Sequence, residues 1–283
     1  MTLCPRPRRS LGQHFLVSEK VLDRLEALCR EAASGAGAIL EIGPGTGALT
    51  ARLLGLGLPV GAVERDRELI PLLGRAFPAL DLEEGDARRL DLGRWLRKGG
   101  GLPLFVAGNL PYNAATEILL EVLSRPDAVC AGAFMVQREV ADKFLPAGKG
   151  ARSPLGPFAA AAWEGRRALE VPPGAFRPPP KVRSTFCLFF RRSDPAVPWE
   201  RLPAYLSFLN KAFASPRKTL ASSAFGGRGE GGGNFLAALG AVGLSPAMRP
   251  AEVPFGLWAS LFRVLDGAQG TTSRSGGSAG KER

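Results

Sequence analysis

The chain has 283 residues, 45% of them hydrophobic, and a formal net charge of +11. That length supports one large or two modest domains with a real core, and no apolar run reaches the roughly 18 residues that would span a bilayer. The composition therefore predicts a globular protein with no membrane partner. Its excess of Lys and Arg points to nucleic acid, whose phosphates release counterions when neutralised, with charge kept for solubility as the plainer alternative.

The N-terminus is basic but has no apolar h-region, so no secretory signal is expected there. Residues 1–17 are turn-rich and end in Leu11-Gly-Gln-His-Phe-Leu16. His14 is the only histidine in the chain. A Ser-His-Asp triad or a multi-histidine metal site would have to rest on it alone, so the expected chemistry uses no metal and little acid–base help. Cys4, Cys29, Cys130 and Cys187 are scattered without a Cys-x-x-Cys pair. They read as reduced thiols of a cytoplasmic protein.

Ser18 is predicted to cap a helix running to about Ala33, with Val21, Leu22, Leu25 and Leu28 on its apolar face. Ala38 to Ile42 reads as a buried strand, followed by Gly43, Gly45 and Gly47 and a helix from Ala48. Such a turn lets backbone N–H groups approach a nucleotide closely. The spacing Gly-x-Gly-x-Gly differs from the dinucleotide fingerprint, and no Walker lysine follows. Glu41 carries a charge that suits a cationic ligand better than a pyrophosphate. S-adenosylmethionine, with sulfonium and ammonium groups, meets that description.

A second strand, Val60 to Val63, is predicted to end at Glu64, about 20 residues beyond the glycine turn. In doubly wound nucleotide-binding folds an acid at that place grips ribose hydroxyls; a solvated strand-end acid is the alternative. A helix over Glu68 to Ala76 and a strand near Leu80 to Glu83 follow. Asp86 stands at the third strand's exit, either accepting from an adenine amino group or capping the next turn. Leu104 to Ala107 delivers Gly108-Asn-Leu-Pro-Tyr112. A helix through Ile118, Leu119 and Val122 leads to a strand from Val129 to Val136. After a helix through Val140 and Phe144, the pattern gives a loop, a helix from about Leu155 to Trp163, an extended Ala168 to Val171 and a strand from Ser184 to Phe190.

Alternating strands and short helices imply a mostly parallel, three-layer α/β sheet, whose ligands sit beyond the strands' carboxyl ends. Gly43, Glu64, Asp86 and Asn109 all fall at such ends. Past Arg192 the reading is helical: Tyr205 to Ala214, Lys218 to Phe225, Phe235 to Val242 and Pro254 to Leu265, with Gly226 to Gly233 as a connector. The expected division is an α/β domain over 1–192, a small helical domain over 193–266, which the family resemblance given below makes RNA-docking, and a disordered basic tail over 267–283.

The Asn-Leu-Pro-Tyr stretch carries the sharpest chemistry. An exocyclic adenine nitrogen is a poor nucleophile because its lone pair is drawn into the ring. The carboxamide oxygen of Asn109 and the carbonyl of Leu110 could accept its two N–H bonds and aim that lone pair at a sulfonium methyl. Pro111 fixes the backbone, and Tyr112 offers a face for the base to stack on. An Asn-Pro turn with a core tyrosine is the structural alternative.

These motifs together resemble the ribosomal RNA adenine N6,N6-dimethyltransferases that act on the small subunit. The likeness is carried by Leu11-Gly-Gln-His-Phe-Leu16, Glu41-Ile-Gly-Pro-Gly-Thr-Gly47, Gly108-Asn-Leu-Pro-Tyr112, Val136-Gln-Arg-Glu-Val140, Phe176-Arg-Pro-Pro-Pro-Lys-Val-Arg-Ser184, Ala212-Phe213 and Arg217-Lys-Thr-Leu220, in order over about residues 9 to 265. The resemblance implies a Rossmann-like methyltransferase sheet with a small C-terminal helical domain. It implies S-adenosylmethionine contacts at His14, Leu16, Gly43, Gly45, Glu64, Asp86 and Asn109. Asn109 and Tyr112 would hold the target adenine, with Phe176 against its other side. The implied reaction dimethylates two adjacent adenosines in the 3′-terminal hairpin of small-subunit rRNA, on an assembling 30S particle, by a monomer. Phe176 as a structural anchor is the plainer reading of that residue.

His14 stands where the family usually has Asn, Ala115 where it has Ser, Leu155 where it has Tyr, and Pro216 where it has a basic residue. Arg177, Lys181 and Arg183, with Arg191, Arg192, Lys211, Arg217 and Lys218, would supply phosphate contacts. Two other functions fit the same features: a large-subunit rRNA adenine methyltransferase of the antibiotic-resistance type, and a non-catalytic rRNA-binding assembly factor.

Overall fold

A computed structural model describes residues 7–8, 11–145, 150, 153–222, 225 and 230–272. The chain divides into two compact units, one of Met1–Leu145 with Trp163–Ser193 and one of Pro146–Ala162 with Asp194–Arg283. Residues 146–162 thus belong with the second unit, where the sequence reading assigned them to the first.

The first unit holds β1 (Phe15–Leu16), α1 (Glu19–Ala32), β2 (Ala38–Ile42), α2 (Ala48–Leu54), β3 (Val60–Glu64), α3 (Ile70–Ala76), β4 (Asp81–Glu84), α4 (Leu92–Lys98), β5 (Leu104–Asn109), α5 (Ala115–Leu123), β6 (Val129–Gln137), α6 (Arg138–Phe144), β7 (Trp163–Val171), β8 (Phe176–Arg177) and β9 (Ser184–Arg191). A seven-stranded sheet runs in the order β4-β3-β2-β5-β6-β9-β7. β4, β3, β2, β5 and β6 are mutually parallel, while β9 lies antiparallel between β6 and β7. Strands β2 and β3 are buried along their whole length, as parallel strands covered on both faces must be. β7, the edge strand, carries Glu164, Arg166 and Glu170 exposed and Arg167 half-buried; such charges discourage pairing with another chain.

Alternation along the strands sorts side chains to two faces. Ile39, Ala62, Phe105, Ala107, Ala133 and Met135 join Leu22, Leu25, Leu28, Leu49 and Leu53 of α1 and α2 in one apolar cluster. On the opposite face, a side chain at Gly61 would run into the Trp95 ring of α4. Ser18 stands at the N-cap of α1 without a side-chain capping bond; its carbonyl accepts from Leu22 N at 2.9 Å.

The chain enters the seven-stranded sheet at β2, builds outward through β3 to β4, then crosses back to β5 on the other side of β2. That reversal opens a crevice at the carboxyl ends of β2 and β5. A separate two-stranded ribbon pairs β1 with β8, Phe15 opposite Arg177 and Leu16 opposite Phe176.

The second unit is helical: α7 (Leu155–Ala162), α8 (Leu202–Phe213), α9 (Glu230–Ala241) and α10 (Phe255–Thr272). Its core is aromatic, with Tyr205, Phe208, Phe213, Phe235, Trp258 and Phe262 buried and ring pairs such as Tyr205–Phe262 at 5.2 Å and Phe213–Trp258 at 5.1 Å. Of the helix expected over Lys218 to Phe225, the described residues show a short 3-10 turn, Leu220–Ser222; residues 223–224 lie outside the described residues. Gly231 to Gly233, read as connector, lies inside α9. Residues 267–272, read as tail, continue α10; residues 273–283 and Cys4 lie outside the described residues.

Candidate active site

The crevice at the switch point is a cleft of about 1080 Å³, a volume that includes open solvent at its mouth. It is lined by His14, Leu16, Gly43, Gly45, Glu64, Asp86, Asn109, Leu110, Pro111 and Tyr112, among others. Every cofactor residue singled out in the sequence is therefore in one place, as is the Asn-Leu-Pro-Tyr stretch.

The glycine turn leaves β2 with Gly43 at φ 64° and Gly45 at φ 59°, left-handed values that side chains rarely adopt. Nothing stands within 4 Å of where a Gly43 Cβ would be, so the backbone there is bare to a ligand. Gly45 N donates to Glu64 Oε2 at 3.0 Å, and Asp66 N donates to Glu64 Oε1 at 2.8 Å. Burial raises the Glu64 pKa above the usual carboxylate range, against these backbone bonds, which lower it.

Glu41 departs from its expected role. Its carboxylate is buried within β2 and accepts from Thr50 Oγ1 at 2.6 Å. Burial pushes its pKa up to about 8, against the lowering effect of the Thr50 bond. Near neutral pH it is mostly protonated, so it offers little charge to a cation.

For Asp86 the structure shows the turn-capping reading. Its Oδ1 accepts from Arg88 N at 3.1 Å, the turn-capping role, and Arg88 Nη2 reaches Oδ2 at 2.5 Å. The Arg88 side-chain bond holds its pKa down, to about 2. It lies at the cleft wall already paired to a guanidinium.

Asn109 ends β5 with its side chain held in one orientation. Nδ2 donates to the main-chain carbonyl of His14 at 2.8 Å. A flipped amide would set oxygen against oxygen, so the His14 carbonyl decides which end faces where. The other end, Oδ1, is buried without a hydrogen-bond partner in the structure. Leu110 N donates to Met135 O at 3.0 Å, fixing the stretch to β6, and Ala114 N closes a turn onto Pro111 O at 3.0 Å. The Tyr112 hydroxyl lies 2.5 Å from Ser184 Oγ, and burial raises its pKa. An orphaned acceptor beside a bare glycine turn and a buried carboxylate fits a purine amine together with a nucleoside cofactor.

Phe176 is not brought to the cleft: it is 3% exposed in the main apolar cluster. Phe186 and Met135 supply apolar lining instead. The sequence reading also missed a latch on the N-terminal segment. Gln13 Nε2 donates to Asp66 Oδ2 at 2.8 Å, and Arg8 Nη1 lies 3.3 Å from Asp66 Oδ1. Only the position of Asp66, two residues beyond Glu64, hinted at it.

Of the expected phosphate contacts, Arg177, Lys181 and Arg183 are exposed in the first unit and Arg217 and Lys218 in the second. None of them has an ion pair among the described residues. Three others are engaged within the protein: Arg191 Nη1 donates to Pro126 O at 2.9 Å, Arg192 pairs with Glu164 at 3.3 Å, and Lys211 Nζ sits 4.6 Å over the Phe225 ring. No metal-binding cluster of His, Cys, Asp or Glu occurs among the described residues.

Residues 5–265 match the family model described as ribosomal RNA adenine dimethylase. The chain is 40% identical over 281 residues to ribosomal RNA small subunit methyltransferase A of Anaeromyxobacter sp. (strain K), covering 92% of this chain and 94% of that protein. It is 39% identical to the protein of the same name from Geobacter sulfurreducens, over 78% of this chain and 81% of that one. Among solved structures, a dimethyladenosine transferase from Plasmodium falciparum superposes with a TM-score of 0.72 at 20% identity, covering 90% of this chain and 98% of that one. The 23S rRNA methyltransferase ErmE superposes at 0.67 with 23% identity, over 89% and 99%. Both structures establish a shared fold. With the family model spanning both units and relatives this similar along most of their length, the chain belongs to the ribosomal RNA adenine dimethylase family.

Proposed function

We propose that this protein transfers methyl groups from S-adenosylmethionine to the N6 nitrogens of two adjacent adenosines in the 3′-terminal hairpin of small-subunit rRNA, during assembly of the small ribosomal particle. The observation that carries the reading is the Asn109 amide, anchored through Nδ2 with its Oδ1 buried and unpartnered, in the cleft that the glycine turn also lines. The named relatives at 34–40% identity are small-subunit enzymes, which favours that substrate over the large subunit.

S-adenosylmethionine, when bound, presents a methyl group made electrophilic by its sulfonium. The turn at Gly43 and Gly45 and the carboxylate of Glu64 would hold it, with Asp86 and the main chain at His14 and Leu16 at the cleft walls. Asn109 Oδ1 accepts one N6–H of the target adenine and the Leu110 carbonyl the other. Two acceptors placed off the ring plane favour a pyramidal nitrogen whose lone pair is free to attack. The donors and acceptors are set in advance, so little reorganisation is needed at the moment of reaction. Pro111 locks φ in the stretch between them. Tyr112, its hydroxyl tied to Ser184, backs the base. The methylated nitrogen is strongly acidic and sheds its proton to water, so no general base is required.

Arg177, Lys181 and Arg183, and separately Arg217 and Lys218, would bind rRNA phosphates. We place the protein in the cytoplasm as a monomer; among the described residues no helix is long and apolar enough to cross a membrane. The test is to incubate the protein with labelled cofactor and undermethylated small subunits, digest the RNA and identify nucleosides by mass spectrometry. Dimethyladenosine at neighbouring sites is the expected product; label confined to large-subunit RNA, or none at all, would refute the reading.

A further inference from the structure

We propose that His14 is a positioning residue for methyl transfer, tying the target-holding groups of Asn109 and Tyr112 to the exposed basic segment 177–183. The proposal rests on the reading of the cleft given above.

Different parts of His14 make the contacts. Its main-chain carbonyl accepts from Asn109 Nδ2 at 2.8 Å and so selects the orientation of that amide. Its ring lies 4.9 Å from the Tyr112 ring, tilted by 30°. Its Nδ1 is 2.7 Å from the carbonyl oxygen of Pro178. A carbonyl only accepts, so Nδ1 carries the proton, and the neutral imidazole is the Nδ1–H tautomer.

The flanking residues stiffen this arrangement. Phe15 and Leu16 pair with Arg177 and Phe176. On the other side, a Cβ at Gly12 would stand 3.2 Å from Asn113 Oδ1 and 3.4 Å from Tyr112 N, so the segment lies directly on the catalytic loop. A displacement of residues 176–183 on phosphate contact is therefore passed to Asn109 and Tyr112 through a ladder, a hydrogen bond and a ring contact. On this proposal phosphate binding at 177–183 and cofactor binding in the cleft are coupled, and such a coupling is equal in both directions. An asparagine at position 14 would supply the same main-chain carbonyl but no ring against Tyr112.

The test uses the untagged full chain, in which His14 is the sole histidine. An imidazole nitrogen NMR spectrum at alkaline pH is expected to show the Nδ1–H tautomer; the Nε2–H tautomer would overturn the proposal. In parallel, H14A, H14F and H14N are compared on undermethylated small subunits. H14A is expected to lower kcat about tenfold with KM for S-adenosylmethionine within about twofold, the signature of misplaced reacting groups. H14F keeps the ring and is expected to hold kcat within about threefold, whereas H14N, without it, falls near H14A.

Coupling is read as the ratio of S-adenosylhomocysteine Kd values without and with the subunits. A ratio of about fivefold or more in the natural protein should shrink towards one in H14F and H14A alike. Natural kcat and coupling in H14A would overturn the proposal, as would a kcat loss that merely tracks a fall in folded fraction. Failure of the natural protein to methylate small subunits would instead overturn the substrate reading, while the tautomer still decides whether His14 is anchored to Pro178.

Discussion

The hydroxyl of Tyr112 lies 2.5 Å from that of Ser184, joining the end of the Asn-Leu-Pro-Tyr stretch to the first residue of β9. The two stand 72 positions apart in the chain, and Ser184 is fully buried. Tyr112 is thereby held as a fixed wall. Tyr112→Ala is expected to raise KM for rRNA and cut kcat by about a hundredfold or more, since both the stacking face and its position go. Tyr112→Phe keeps the face and should cost about tenfold or less. Steady-state kinetics on small subunits separates the two, and an equal loss in both would place the phenol itself in the chemistry.

Asn109→Ala removes the oriented acceptor and leaves the His14 carbonyl without its donor. Transfer should fall by about a thousandfold or more, with binding to undermethylated subunits within about threefold. Asn109→Asp is nearly the same size but sets a carboxylate oxygen against the His14 carbonyl. It should be as inactive as the alanine variant and less stable, which thermal melts would show.

The carboxyl of Glu41 titrates far above its ordinary range because it is buried, with its folded pKa near 8 against 4.5 for the free side chain. The folded chain therefore holds a proton that the unfolded chain releases, and the stability due to this group is full below about pH 4.5 and lost as pH rises through about 8. Glu41→Gln is neutral at all pH and can still accept from Thr50. Its melting temperature should gain on that of the natural protein as pH rises from 5 to about 8.5; parallel curves would mean the carboxylate is ionised in place.

Binding of RNA should weaken with salt. Replacing Arg177, Lys181 and Arg183 together by alanine should reduce the slope of log K against log salt by about 2, at about 0.7 per single-strand phosphate contact. Replacing Arg191 and Arg192, which are engaged with Pro126 and Glu164, should leave that slope unchanged and lower stability instead. Filter-binding titrations across salt concentrations report both.

Gly43→Ala keeps the cleft open but forces a side chain to φ 64° and into the bare space beside the turn. The left-handed strain costs about 1–2 kcal/mol. KM for the cofactor should rise more than kcat falls, as measured with saturating subunits.

The parallel half of the sheet was legible because β2, β3 and β5 are mostly apolar runs, each ending at a glycine or a polar side chain. Gly43, Glu64, Asp86 and Asn109 could be aligned from that pattern alone. What local pattern does not encode was not legible. β1 and β8 have two residues each, too few for a period, so the link from His14 to Pro178 left no trace in the sequence. Glu41 sits in an apolar strand, and its charge drew a ligand into the reading where burial and Thr50 account for it. Phe176 carries the same motif signature whether it faces a purine or the core. Gly231 to Gly233 looked like a break, yet the helix that buries Phe235 and Leu239 extends back through them.

The backbone passes between the two units at residues 145–146, 162–163 and 193–194. The helical unit is consequently not an appendage that can be clipped from the C-terminus. A stop codon at position 194 would leave α7 behind, with Phe158, Ala159, Ala161 and Ala162 deprived of the partners that bury them. Such a fragment would carry a greasy, orphaned helix in the middle of its catalytic half. Gene shortening or domain exchange in this protein has to move both segments at once.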